Sequence, residues 1–327
     1  MVKVAILDDY ANAALTLADW SAVKDLADVQ VFDRHLSDAE IVPTLQTFEI
    51  ICTLRERARL TKAVLDQLPG LKAIVVTDAH VRTIDYAAAE ARGIQILEAR
   101  APDNLPSAPS STSEFVWGLI LATLRHIPAE ATRLREGKWQ HTLGEPLAGK
   151  TLGLVGLGKI GSTIAHYACA FDMQVLAWSQ NLTAEAAERS GARRVDKDTL
   201  FREADVVSIH YVLSDRSRGL VGAAELGAMK PTAYLINTSR GPIVDEKALV
   251  SALRERKIAG AGLDVFDEEP LPKDHPLTQL ENVTVTPHLG FVTRPAMRRF
   301  YAGTALAVTA YVNGSTLPLL SAASLTR

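Results

Sequence analysis

The stretch Thr151-Leu152-Gly153-Leu154-Val155-Gly156-Leu157-Gly158-Lys159-Ile160-Gly161 decides the fold. Its first five residues read as a short buried strand, and residues 160–171 read as the helix that follows. Gly156, Gly158 and Gly161 fit G-x-G-x-x-G in the strand–turn–helix context that this pattern requires. The first glycine permits a tight turn, and the second lets backbone N–H groups approach a pyrophosphate. The third lets helix and strand pack closely. Lys159 and Ile160 open the helix, whose N-terminus favours negative charge. The stretch therefore reads as a dinucleotide-binding loop.

Outward from this loop, short apolar runs alternate with longer amphipathic stretches. Toward the C-terminus, further strands are predicted at 174–178, 206–210, 233–237, 260–265 and 283–286. With 151–155 they make six, the complement of a complete dinucleotide-binding sheet. Toward the N-terminus, strands are predicted at 2–7, 29–32, 50–54, 72–77 and 94–97. Helices are predicted between them, such as 62–68 and 86–92, the latter closed by Gly93. This half has no glycine-rich loop of its own.

Residues 101–113 carry three prolines and five Ser or Thr and read as a linker. They end in Ser111-x-x-Glu114, a capping box ahead of the apolar run 115–124. After Pro295 another amphipathic helix runs to Asn313-Gly314. The fold class is α/β, with two doubly wound parallel-sheet domains. The second is a Rossmann dinucleotide-binding domain covering 112–292, and the first spans 1–111 plus 293–327.

Composition narrows the functional classes. The 327 residues hold 35 Lys and Arg against 38 Asp and Glu, a net charge of −3. No long basic run stands out, which argues against nucleic acid as a partner. The longest apolar run, 116–124, is far short of the ~18–20 residues that span a bilayer. The N-terminal run stops at Asp8-Asp9, as a buried strand does and a secretory signal does not. Only Cys52 and Cys169 occur, so a disulfide framework is excluded and a cytoplasmic location is expected. No His pairs with Cys or Glu at metal-ligand spacing, so no metal site is expected.

An acidic residue commonly ends the second strand of such a sheet and holds the ribose hydroxyls. Here that strand ends in Ser179-Gln180-Asn181, without a carboxylate. A carboxylate would repel a 2′-phosphate, so either NAD or NADP is expected. Ser179 and Gln180 are candidate cofactor contacts. Arg193 and Arg194 lie too far along the chain for spacing to place them. His210 and Thr238, where the third and fourth strands end, complete this candidate set.

Chemistry in a doubly wound sheet sits at the carboxyl ends of the strands. Those ends carry Arg240, Glu269 and His288. A guanidinium clamps a planar carboxylate and polarises a neighbouring carbonyl. A His passes a proton near neutral pH, and a Glu beside it fixes its tautomer. With a hydride donor alongside, these parts suit reduction of a 2-keto acid.

These segments resemble the D-isomer-specific 2-hydroxyacid dehydrogenase family. The likeness rests on 151–161, 205–210, 229–245, 260–272 and 286–290, and it runs over essentially the whole chain. It implies a nicotinamide-dependent reduction of a small 2-keto acid to the D-2-hydroxy acid, or the reverse. In its terms Arg240 binds substrate, Glu269 pairs with His288, and Asp264 contacts the nicotinamide carboxamide. It also implies a flavodoxin-like substrate domain built from both chain ends, and a homodimer. The family's Gly-x-Gly-x-Asp loop holds the substrate carboxylate. This chain has Asp78-Ala79-His80-Val81-Arg82 there, which makes Ala79 and His80 the candidate substrate contacts. Two other readings share the fold. One is a dinucleotide-sensing regulator like the C-terminal binding protein corepressors. The other is a formate-dehydrogenase-like enzyme, a group that resembles this chain except for Gln where Glu269 stands.

Overall fold

The computed structural model describes residues 1–77, 81–105, 111–315 and 317–321. The chain divides into two compact units, Met1–Ala108 with Thr293–Arg327, and Pro109–Val292.

The first unit holds five strands: β1 (Val2–Ile6), β2 (Ala27–Val31), β3 (Ile50–Thr53), β4 (Ala73–Val76) and β5 (Gln95–Glu98). They lie in the order β2-β1-β3-β4-β5, and every pair is parallel. This is a flavodoxin-like doubly wound order. Strands β3 and β4 are buried along their whole length, as strands covered on both faces must be. The predicted helix at 62–68 is shorter, Lys62–Leu65. The next, Tyr86–Ala91, is capped by the Asp85 side chain and closed by Gly93 at φ +68. The C-terminal helix Arg294–Val312 also belongs to this unit and packs against β4 and β5. Its Tyr301 is 1% exposed and donates to Asp9 Oδ1 at 2.6 Å. The other Asp9 oxygen accepts from the Ala13 and Ala14 amides. A buried carboxylate is thus satisfied by three donors, as burial demands.

The second unit holds seven strands: β6 (Thr151–Val155), β7 (Gln174–Trp178), β8 (Arg193–Arg194), β9 (Val206–Ile209), β10 (Tyr234–Asn237), β11 (Gly260–Leu263) and β12 (Val283–Val285). Their order is β12-β11-β10-β9-β6-β7-β8, again all parallel. Side chains alternate between two hydrophobic clusters. Leu176, Val207 and Leu235 enter one, while Val175, Val206, Tyr234 and Ile236 enter the other. Both faces are therefore covered. Each fully buried Leu or Ile contributes about 1.5–3 kcal/mol relative to exposure.

Two differences from the sequence reading concern this unit. The sheet has a seventh strand, β8, whose Arg193 and Arg194 pair with Leu176 and Ala177 of β7. The helix Ser111–Leu124 already includes Ser111, so that residue lies in the first turn and does not cap it. Among the described residues no helix is long and apolar enough to cross a membrane.

Candidate active site

Strand order reverses between β6 and β9, so a crevice opens at their carboxyl ends. The glycine loop sits there. Gly156 has φ +99, and a Cβ on it would stand 2.4 Å from the His210 carbonyl oxygen. A Cβ on Gly161 would stand 2.3 Å from the Gly156 carbonyl oxygen. Both positions exclude any side chain. Gly158 differs: a Cβ there would meet nothing within 4 Å. Internal packing leaves that position open, so its bareness leaves room in front of the helix Lys159–Ala170. This helix has no side-chain cap at Gly158. Its first N–H groups suit a pyrophosphate. Lys159 is exposed and Ile160 half-buried beside them. The residues present therefore fit a dinucleotide. Gly156→Ala is expected to weaken its binding about tenfold or more, since left-handed strain costs roughly 1–3 kcal/mol. Fluorescence titration measures it.

The end of β7 borders the crevice. The Gly156 amide donates to the Trp178 carbonyl at 2.8 Å, which places Ser179 directly beside the glycine loop. The Gln180 amide lies 3.4 Å from the Tyr211 hydroxyl, and Trp178 stacks on Tyr211. Strand β8 brings Arg194 alongside Ala177, two residues before Ser179. His210 Nε2 lies 3.0 Å from Ser208 Oγ, and burial lowers its pKa to about 4. It is neutral at physiological pH and holds no charge against phosphate.

The ends of β10, β11 and β12 carry the remaining groups. Asn237 is buried and closes a turn, donating to the Arg240 carbonyl at 3.0 Å and accepting from the Ser239 amide at 3.0 Å. Thr238 and Arg240 flank that turn, both half-buried. Arg240 Nη1 donates to the Ser239 carbonyl at 2.7 Å. The following Gly241 is pressed against the next strand end, where a Cβ would stand 2.0 Å from the Phe266 carbonyl carbon.

Glu269 and His288 meet. His288 Nδ1 and Glu269 Oε2 are 2.6 Å apart, and Glu269 Oε1 accepts from the Phe266 amide at 3.0 Å. Because Nδ1 faces a carboxylate it carries a hydrogen, which leaves Nε2 for proton transfer. His288 itself has φ +53, an uncommon conformation for a side chain of this size. Its ring packs edge-on against Phe291.

What holds that conformation is Asp264, a role the sequence does not reveal. Asp264 is 1% exposed. Its Oδ1 accepts from Thr286 Oγ1 at 2.7 Å and the Leu289 amide at 2.8 Å. Its Oδ2 accepts from the Gly290 amide at 2.9 Å. The carboxylate therefore grips the turn on both sides of His288. Burial raises its pKa even against these three donors. The candidate contacts Ala79 and His80 lie outside the described residues.

Residues 117–290 match the profile of the family described as D-isomer specific 2-hydroxyacid dehydrogenase, NAD binding domain. The chain is 37% identical over 313 residues to a glyoxylate reductase of Aeropyrum pernix, covering 90% of this chain and 89% of that one. It is 35% identical to a D-3-phosphoglycerate dehydrogenase of Methanocaldococcus jannaschii, covering 94% of this chain but only 56% of that protein's length. Among solved structures, a phosphoglycerate oxidoreductase from Vibrio cholerae superposes with a TM-score of 0.88 at 36% identity, covering 96% of this chain and all of the other.

Proposed function

The chain belongs to the D-isomer specific 2-hydroxyacid dehydrogenase family, and from that premise we propose that it reduces a small 2-keto acid such as glyoxylate, pyruvate or hydroxypyruvate to the D-2-hydroxy acid. The Glu269–His288 pair at 2.6 Å carries this reading. The glycine loop, Ser179, Gln180, His210, Thr238 and Asp264 would hold NAD or NADP, which when bound would supply the hydride for the keto carbon.

Arg240 clamps the substrate carboxylate and draws electron density from the neighbouring carbonyl. His288 Nε2–H gives its proton to the oxygen that becomes the hydroxyl. Glu269 Oε2 accepts from Nδ1–H and so fixes the ring's orientation and tautomer, with Nε2 facing the substrate oxygen in this reading. In the oxidative direction the neutral ring takes the hydroxyl proton. A sensor on this fold is told apart by cofactor binding without turnover, and formate chemistry would need no proton donor. A panel of 2-keto acids with NADH and NADPH tests the reading. Turnover of at least one acid supports it, and cofactor binding without any turnover across the panel overturns it.

The end of β7 guides cofactor choice. Without a carboxylate at Ser179, and with Arg194 beside that strand end, NADPH is expected to be accepted at least comparably to NADH. Ser179→Asp is expected to shift preference toward NADH by about tenfold, or roughly 1.4 kcal/mol. The ratio of the two dissociation constants reports it, and a wild-type preference for NADH above that factor counts against the expectation. Both cysteines are free thiols, in keeping with a reducing cytoplasm. The working form is proposed to be a homodimer.

A further inference from the structure

Another carboxylate–histidine pair, Glu246 with His275, holds the segment that carries Glu269. The segment from Phe266 to His275 leaves the end of β11, carries Glu269, and returns to a short turn of helix at Pro276–Thr278. Glu246, the first residue of the helix Glu246–Arg254, reaches both ends of that segment. Its Oε1 lies 3.0 Å from His275 Nε2, and its Oε2 accepts from the Asp267 amide at 3.4 Å. His275 Nδ1 accepts from the Leu277 amide at 3.3 Å, so Nε2 carries the hydrogen and donates to Glu246. The two side chains are only 18% and 21% exposed, which makes this more than a solvated surface pair.

We infer that Glu246 and His275 are positioning residues that hold the Glu269 loop closed at its base, and through it set Glu269 against His288. The inference rests on the proposed role of the Glu269–His288 pair. Its physical content is a chain of contacts. Glu246 fixes the Asp267 amide. The adjacent Phe266 amide fixes Glu269 Oε1, and Glu269 Oε2 fixes the ring that moves the proton. Gly241 presses on the same Phe266–Asp267 backbone from the Arg240 side, so the loop has little freedom there. At the far end, the His275 amide donates to the Pro272 carbonyl at 3.0 Å and its carbonyl accepts from Thr278 Oγ1 at 2.8 Å, so the Glu246 bond is added to a turn already formed. The Asp267 carboxyl faces the same spot and is raised, chiefly by burial and then by Glu246, while Arg218 and His275 oppose this.

A double-mutant cycle tests the inference. His275→Ala and His275→Gln are made in the wild type and in a Glu269→Gln background, with thermal melts and NADH affinity measured for each. In the wild type, His275→Ala is expected to lower kcat about tenfold with cofactor affinity changed less than about twofold. His275→Gln, whose amide still donates to Glu246, is expected to recover kcat to within about threefold. In the Glu269→Gln background the same His275→Ala is expected to cost less than about twofold, because the group it positions is already disabled. An equal cost in both backgrounds means general loosening and overturns the inference. So does an unchanged kcat, or a Gln variant no better than Ala. If Glu269→Gln alone leaves kcat and its pH profile intact, the failure lies with the proton-relay reading, and the inference falls with it.

Discussion

His288→Ala is expected to lower the rate of keto-acid reduction by a factor on the order of 10²–10⁴ while dinucleotide binding stays near normal. The hydride can still be delivered, but the developing alkoxide must then find its proton in water. The loss falls on kcat more than on KM, because the proton moves only in the transition state. The glycine loop is untouched, and Asp264 still grips the turn through Thr286, Leu289 and Gly290. A folded variant is therefore expected. Single-turnover reduction across pH, with a parallel NADH titration, measures both halves. Near-normal reduction by a folded His288→Ala protein across the whole pH range overturns the assignment of the donor.

Arg240→Ala is expected to reduce kcat/KM by about 10²–10³, and the loss should appear in KM and kcat together. In the proposed role the guanidinium acts on the carboxylate of the bound substrate and on the carbonyl as charge develops. Its removal therefore weakens both states, the transition state more. Arg240→Lys is expected to recover little, because a single ammonium cannot reproduce the planar two-point clamp. The fold should survive, since the Asn237 side chain ties the turn through the Arg240 carbonyl and leaves the side chain out of the bond. Steady-state kinetics with saturating cofactor decides it. A variant whose kcat/KM stays within about threefold of wild type would remove Arg240 from the substrate site.

The parts of the fold legible in the sequence are those where burial leaves a continuous apolar run. Strands β6 and β7 begin and end where the runs Thr-Leu-Gly-Leu-Val and Gln-Val-Leu-Ala-Trp begin and end. Strand β8 has no signal in the sequence because it is two arginines with no periodicity, held by the edge of β7 and an Arg193–Glu203 ion pair at 3.3 Å. Its register is what sets Arg194 beside Ala177, near the end of β7. Arg240, Glu269 and His288 are legible as candidates because strand ends are where a parallel sheet presents its chemistry, and the structure joins two of them, Glu269 and His288. The supports beneath them are not legible. The three donors on Asp264 depend on a turn five residues long folding back over a neighbouring strand end. The Glu246–His275 pair joins residues 29 apart across two elements. Spacing along the chain has no signal for either.

The order in which the chain is made bears on how its first sheet survives birth. Tyr301 and Asp9 are joined by a buried hydrogen bond across 292 positions. The helix that carries Tyr301 emerges only after the whole of the second unit. Ribosomes add roughly 5–20 residues per second, so β1 to β5 wait on the order of 10–40 s for that cover. Throughout that interval the patch on β4 and β5 lies bare, and Asp9 lacks one of its three donors. The second unit is contiguous and meets no such delay. The Tyr301–Asp9 bond, which ties β1's end to that helix, therefore cannot close until the second unit has been made.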